Sequence, residues 1–290
     1  MEWPGPIALP CPLSAGWQRV EQTVLPRSAG GGFSAGAYSS GNDTLWLLSD
    51  GPNGSIGRWQ GLRHGGLAGL RPLAPLPLPQ PQPMDGEGLV LDGASLWVAS
   101  EGRLQPPRPA ELLRYDLVTG QLQQGSGLHS NGGPESLTRL PGSGALLMAA
   151  ERPLQQDPTD RVRLLRWPVQ RKPLQPLALP SGWGLTDLLA TDRGLLGLWR
   201  RFDAPDRWQA RLVLYPLPGP DPAARPLVPL QQWNLDSLGL PRDNWEVLLA
   251  APPLADGRPT LILASDDNFN PLQASHLVRL SPVRHPDCKP

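Results

Sequence analysis

An all-β fold, a single β-propeller occupying residues 1–290 as one domain, is what this sequence predicts, and three observations predict it. Helical periodicity is almost absent: no window of eleven or more residues free of Pro and Gly carries an i, i+3, i+4, i+7 apolar stripe. Short apolar runs alternate with tight-turn signals along the chain. These hairpins also recur at a near-constant interval, which marks a repeat architecture.

The hairpins read, in order, FSAGAYSSGNDTLWLLSD, EGLVLDGASLWVASE, ESLTRLPGSGALLMAAE, LTDLLATDRGLLGLWRR and EVLLAAPPLADGRPTLILASDD. Their turns, SSGND, LDGAS, LPGSG, ATDRG and LADGR, carry the Gly, Asp, Asn and Pro that hairpin geometry requires. With Ser34, Glu87, Glu135, Asp187 and Glu246 taken as the residues opening each first strand, the steps are 53, 48, 52 and 59 residues. About fifty residues hold four strands and their turns, which is one propeller blade. A second strand pair follows each hairpin, clearest in AELLRYDLVTGQLQQGSGL and RVRLLRWPVQRKPLQPLAL. Five blades are readable. A sixth, degenerate blade in the Pro-rich stretches 71–83 or 216–232 is the alternative to reading those stretches as edge strands or polyproline-like loops.

After the fifth hairpin only SHLVRLSPV remains, one strand short of a blade, while WQRVEQTVLP precedes the first repeat with nowhere else to pair. The N-terminal segment is therefore expected to complete the last blade and remove an open edge. Cys11 and Cys288 would then be neighbours, and a bridge between them would persist only in an oxidising compartment. Trp46, Trp97 and Trp199 read as packing residues in the same part of three second strands.

Composition narrows the function. The 32 Gly and 38 Pro approach the content of disordered chains, but eleven Trp and 39% hydrophobic residues supply a core. Lys+Arg and Asp+Glu are both 26, so the electrostatic footprint for nucleic acid or an anionic membrane is missing. No apolar run approaches the roughly 20 residues of a membrane span. The first residues place an acid where an export signal has its basic segment, so the numbered chain shows no signal of that kind. A monomer is expected. His64, His129, His276 and His285 share no metal or catalytic spacing and read as solvated loop residues. No GxSxG elbow is present, and the glycines at 30–32 read as a turn.

Aligned repeats put acids at two recurrent places. Glu87, Glu135, Asp187 and Glu246 open first strands, while Asp50, Glu101, Glu151 and Asp266 end second strands, with Arg200 at the matching place in the fourth repeat. Antiparallel pairing sets the start of one strand beside the end of its partner, so both sets converge on one mouth of the channel. Carboxylates this crowded need a counter-charge or retained protons. Arg103, Arg152, Arg200 and Arg201 could pair with them, Ca²⁺ could bind among them, or some could stay protonated.

The patterns GGFSAGAY with LLSD, DGEGLVLDGASLWVASEG, NGGPESLTRLPGSGALLMAAER and NWEVLLAAPPLADGRPTLILASDDNFNPLQ resemble, in order and spacing, the family labelled esterase-like activity of phytase, over residues 31–280 or so. The resemblance implies a mostly exported, phytase-like propeller with phosphoesterase-like activity on a small-molecule ester or phosphate ester. Position by position it points to Asp50, Glu87, Glu101, Asn131, Glu135, Glu151, Asn244, Glu246, Asp266, Asn268 and Phe269. On that reading Ca²⁺ sits among Asp50, Glu87, Glu101, Glu135, Glu151, Glu246 and Asp266 and neutralises the phosphate. Glu87, Glu135 and Glu246 serve catalysis with Arg103, Arg152 or Arg200 steadying the oxyanion, and Asn131, Asn244, Asn268 and Phe269 bind substrate. Pro134, Ser136 and Val247 depart from the family pattern, which usually has an aromatic at the first position and glycine at the other two. The competing expectation is a non-catalytic propeller whose Pro-rich rim holds a protein or glycan.

Overall fold

The computed structural model describes residues 16–284 apart from 81–82, 105–106, 129–132, 155–156, 170–172, 192, 206, 222 and 224, with backbone alone at 103–104 and 107–108. Cys11, Cys288, His129, His285 and Asn131 lie outside the described residues. Five antiparallel blades follow one another along the chain. The first comprises Phe33–Ser39, Thr44–Ser49, Ser55–Gln60 and Arg71–Pro77; the second Gly86–Asp92, Ser95–Ser100, Ala110–Asp116 and Leu122–Leu128. The third holds Ser136–Arg139, Leu146–Ala149 and Leu164–Trp167, with Arg161–Val162 and Leu177–Ala178 as an adjoining ribbon. The fourth comprises Gly184–Thr191, Gly194–Asp203, Arg207–Tyr215 and Gln231–Asn234.

Blade five takes Asn244–Ala251, Thr260–Asp266 and His276–Pro282 from the end of the chain and Trp17–Val24 from its beginning. Trp17 pairs with Pro282 and Val24 with His276, so the closure expected from the sequence is present. The first strands of successive blades contact one another all the way round, and the fifth meets the first. Five apolar clusters, one in each interface between blades, hold the ring. Leu147, Leu185 and Val213 pack between blades three and four, for example, and Leu47, Val247 and Ile262 between blades five and one. A leucine moved fully from water into such an interface contributes about 1.5–3 kcal/mol.

The Pro-rich stretches do not make a sixth blade. Arg71–Pro77 is the outer strand of blade one, where missing N–H groups cost no ladder bond. Pro220 and Leu227 bridge to Leu174 and Leu177, laying the second stretch along blade three. Two alignments also shift. Trp46 and Trp97 are equivalent, lying opposite Ala37 and Val90 with Arg58 and Arg114 over their rings, but Trp199 lies opposite Leu185 near the other end of its strand. All three are buried. His276 begins a strand instead of sitting in a loop, with Nε2 3.6 Å from Asp243.

Four of the five first strands carry a bulge near their start. The ladder slips between Phe33 and Ala35, Gly86 and Gly88, Leu185 and Asp187, and Trp245 and Val247. The extra residues are therefore Ser34, Glu87, Thr186 and Glu246, and Glu135 holds this place in blade three, where its N–H reaches Ala149 O. Thr186, not Asp187, is the fourth member of the set. Asp187 lies one residue further on and works as a staple: its carboxylate accepts from Leu188 N and, across to blade five, from Leu248 N at 2.7 Å. Innermost strands have one unpaired edge, and buried backbone groups there need partners. Ser34 donates to Gly86 O, Ala190 N donates to Thr138 Oγ1, and Thr186 donates to Trp245 O, each joining one blade to the next.

Glycines just after the bulges are set by the neighbouring blade. A side chain at Gly88 would strike Leu137, and one at Gly36 would strike Val247 and Leu249. Val247, a departure from the family pattern, thus fills space that Gly36 leaves in blade one, and Ser136 is buried with its hydroxyl on Ala149 O.

A candidate active site at one mouth of the channel

The bulges and the second-strand ends meet as the pairing requires. Asp50 N donates to Gly32 O and Glu101 N to Asp85 O, each joining a second-strand end to the approach to the bulge. By register Asp50, Glu101, Glu151, Arg200 and Asp266 are equivalent. Several of these ends also lean on the following blade. A side chain at Gly133 would overlap Glu101, one at Gly184 would overlap Glu151, and Arg200 reaches blade five.

Arg200 is the centre of charge pairing here. Its guanidinium donates to Asn244 Oδ1 and Glu246 Oε1 in blade five and, at 3.1 Å, to Glu151 Oε1 in blade three. Its Cζ lies 5.5 Å from the ring centre of Trp208, which packs 4.6 Å from the half-exposed Phe202. Arg152 is mostly in solvent and reaches Glu151 only at 3.5 Å. Arg201 pairs with Asp203. Arg103 starts a two-residue strand paired with Pro107–Arg108, and its side chain is not among those described.

Burial and mutual repulsion shape the acids. Glu87 is pushed well above the usual carboxylate range by burial, then by Glu135, Glu246, Asp85 and Asp50. Glu135 is pushed well up by burial and then by Glu101, Glu246 and Glu151, with Arg200 opposing. Burial outweighs the pull of Arg200 on Glu246 and carries it to about 8. Asp50 rises to about 7 through burial and then Asp266 and Asp85, and its Oδ1 is buried without a hydrogen-bond partner among the described residues. Asp266 rises only to about 6, because the burial that lifts it is opposed by the N–H of Asn268 at 2.7 Å and the amide of Asn244 at 3.1 Å. Asp187 is also pushed well up by burial, although it belongs to the staple and not to this mouth.

A turn after Asp266 covers the junction of blades five and one. Asn268 and Phe269 both adopt left-handed backbone, with φ of 48° and 49°. Asp267 Oδ1 accepts from Phe269 N and from Gly32 N of blade one. The glycines at 31 and 32 are what allow this, since a side chain at Gly31 would overlap Asp267 and one at Gly32 would overlap Asp50 and Phe269. Gly31, Gly32, Thr186, Asp85, Asp267 and Trp208 are the members of this region absent from the sequence-based set. The available signals are the glycine run, which reads as a plain turn, and the Asp266–Asp267 pair, of which the repeat alignment singles out only the first.

The donor chemistry, all hard carboxylate oxygen, suits a cation such as Ca²⁺. Among the described residues, however, no three His, Cys, Asp or Glu side chains converge closely enough to hold a metal ion. Arg200 stands between the acids that would have to close in.

The family model for phytase-like proteins, described as esterase-like activity of phytase, matches residues 28–269. The chain belongs to the phytase-like family. Among solved structures the phytase-like propeller is similar to a protein described as an oxidoreductase (glucose dehydrogenase) from Thermus thermophilus, with TM-score 0.50 and 11% identity over 89% of this chain and 99% of that one. It is also similar to the Pan2 WD40 domain of Neurospora crassa, with TM-score 0.40 and 9% identity over 93% and 96%. At these identities the likeness concerns the propeller alone. No curated protein matches the sequence. Within the described residues no helix is long and apolar enough to cross a membrane.

Proposed function

We propose that the acidic mouth of this phytase-like propeller hydrolyses an ester, with small phosphate or carboxylate esters as the substrate class. The observation that supports it is a set of neighbouring carboxyls whose environments separate their proton affinities around one fixed guanidinium, an arrangement that assigns acid and base roles. Burial and acidic neighbours favour the protonated form of Glu87 and Glu135, and neither carboxyl accepts a hydrogen bond from a described residue. Either can protonate a leaving alkoxide. Asp266, ionised above about 6, can accept a proton from the attacking water. Arg200 offsets the negative charge that develops on the substrate's oxygens, oriented for it by Glu246 and Glu151. Water attacks the carbonyl carbon or phosphorus, the bond to the leaving oxygen breaks, and the proton gained by Asp266 balances the one given up by the acid.

These side chains carry the reaction without calcium, because the carboxylates that would hold it stand too far apart among the described residues. The test is hydrolysis of p-nitrophenyl acetate and p-nitrophenyl phosphate by protein treated with EDTA and by the same protein with Ca²⁺ restored. Turnover that falls by about 10²-fold or more in Glu135→Gln, with the fold intact, is the expected result. Equal rates in wild type and Glu135→Gln would overturn it.

A non-catalytic propeller is the second reading, favoured by the Phe202–Trp208 pair on the same face, an aromatic platform suited to a sugar ring or peptide. Glycan binding lost in Phe202→Ala, without turnover of either ester, would select it.

A further inference from the structure

Each blade ends in an outer strand whose free edge is a template for another strand unless something blocks it. Among the described residues, four of the five edges are blocked. In blade one the outer strand Arg71–Pro77 carries Pro72, Pro75 and Pro77. The ribbon beside blade three ends in Leu177–Ala178, and Leu227 bridges to Leu177. Blade four offers only the four residues Gln231–Asn234. Blade five is closed by Trp17–Val24, which sets charged Arg19 and Glu21 at a bulge, where Arg19 donates to Gly239 O and Glu21 accepts from Leu67 N.

Blade two is different. Its outer strand Leu122–Leu128, LQQGSGL, has seven residues with no proline and no charge, and Gln123, Gln124, Gly125 and Gly127 are exposed. Nearby hydrogen bonds fix which of its backbone groups look outwards. Asp116 N donates to Gln121 O and Leu117 N to Ala94 O, so even-numbered residues of Ala110–Asp116 bond the outer strand and odd-numbered ones bond Ser95–Ser100. Gln124, Ser126 and Leu128 therefore point N–H and C=O into the blade, whereas Gly125 and Gly127 point theirs outwards. Both are glycine, so no β-carbon narrows the approach.

We propose that this edge pairs with the same edge of a second copy of the chain, the two strands running antiparallel about a two-fold axis at Gly125. There Gly125 of each copy donates its N–H to the C=O of the other, and Gly127 comes opposite Gln123 of the second copy. Such a contact is self-complementary and sets no like charges face to face. Pairing through one strand is small beside the roughly 1,200 Å² of a stable interface, so the dimer is weak and depends on concentration. The lone ring expected from the sequence is then the dilute state.

Sedimentation equilibrium from micromolar to millimolar protein is the test, and the wild-type average mass should climb from one chain towards two. Gly125→Pro removes the outward N–H but no bond within the blade, and should weaken association by about tenfold or more. Should that variant fail to fold, Gly125→Lys and Gly125→Glu serve instead, since a β-carbon at Gly125 meets only Leu113, at 3.4 Å. Each alone should weaken association about threefold by placing like charges opposite one another, and an equimolar mixture of the two should restore it. A wild type that stays a single chain at millimolar concentration would overturn the proposal, as would association unaltered in folded Gly125→Pro or Gly125→Lys.

Discussion

The two ends of the channel are built on the same five first strands yet differ in kind. At the mouth formed by the strand openings, blades are joined by ionised or polar side chains: Arg200 spans blades three to five, and Asp267 ties the turn after blade five to Gly32 of blade one. At the turn end the wall is leucine and alanine, and the joints are short ones from Thr138 and Asp187 to backbone N–H groups. The bulge separates them. One extra residue puts Glu87 out of the ladder, after which Leu89 and Leu91 return to ordinary alternation. A polar end and an apolar end can thus coexist on one strand because the pleat is reset between them.

Breaking the polar end should have the larger effect. Arg200→Met would leave Glu246 and Glu151 without their cation, and removal of one partner from a mostly buried pair costs about 3–5 kcal/mol, read as a lower urea midpoint. The loss should be greater at pH 8 than at pH 5, where Glu246 keeps its proton. At the apolar end, Asp187→Ala would leave Leu248 N–H buried without a partner at a cost of about 1–3 kcal/mol. Asp187→Asn, which keeps an accepting oxygen, should cost less.

A pH series sharpens the contrast. Glu246, Asp50 and Asp266 titrate at about 8, 7 and 6 in the folded chain against ordinary values of 4.5, 3.8 and 3.8. Between pH 4 and 8 the folded state therefore holds more protons than the unfolded one. Stability from this end is complete below about pH 4 and declines as pH rises through 8, by about 1.4 kcal/mol per pH unit for each proton retained. Urea midpoints at pH 5 and 8 measure it, and Glu87→Gln combined with Glu135→Gln should flatten the slope. A midpoint that climbs over this range would contradict the ordering of the acids. The smallest effect is expected from calcium: millimolar Ca²⁺ should leave the melting temperature of EDTA-treated protein unchanged, and a rise would mean that the carboxylates regroup around the ion.

The ring is legible in the sequence because its determinants are local. Hairpin turns, a fifty-residue step and an unpartnered first strand suffice to specify five blades and their closure. Equivalence of Glu87, Glu135 and Glu246 is legible for the same reason, as is the place of Arg200. What escapes depends on register or on contacts between blades. Thr186 and Asp187 are adjacent, and only the slip in the ladder decides which of them is the bulge. The glycines at 31 and 32 look like a turn because the side chains they admit, Asp50, Asp267 and Phe269, come from the end of the adjacent strand of their own blade and from a blade more than two hundred residues on. Trp199 is misaligned by the same pattern of repeating apolar residues that reveals the blades.

Closure by the strand Trp17–Val24 also sets an order of birth. The segment emerges from the ribosome before any blade exists, yet its partner, His276–Pro282, is made only after the other blades. For most of synthesis it is an orphan edge strand, while the four blades between can pair within themselves as they appear. The ring therefore cannot tighten gradually from one end, and its final joint waits on a contact spanning most of the chain. A ribosome stalled before residue 276 would release an open arc with two raw ends, each a template for another such arc.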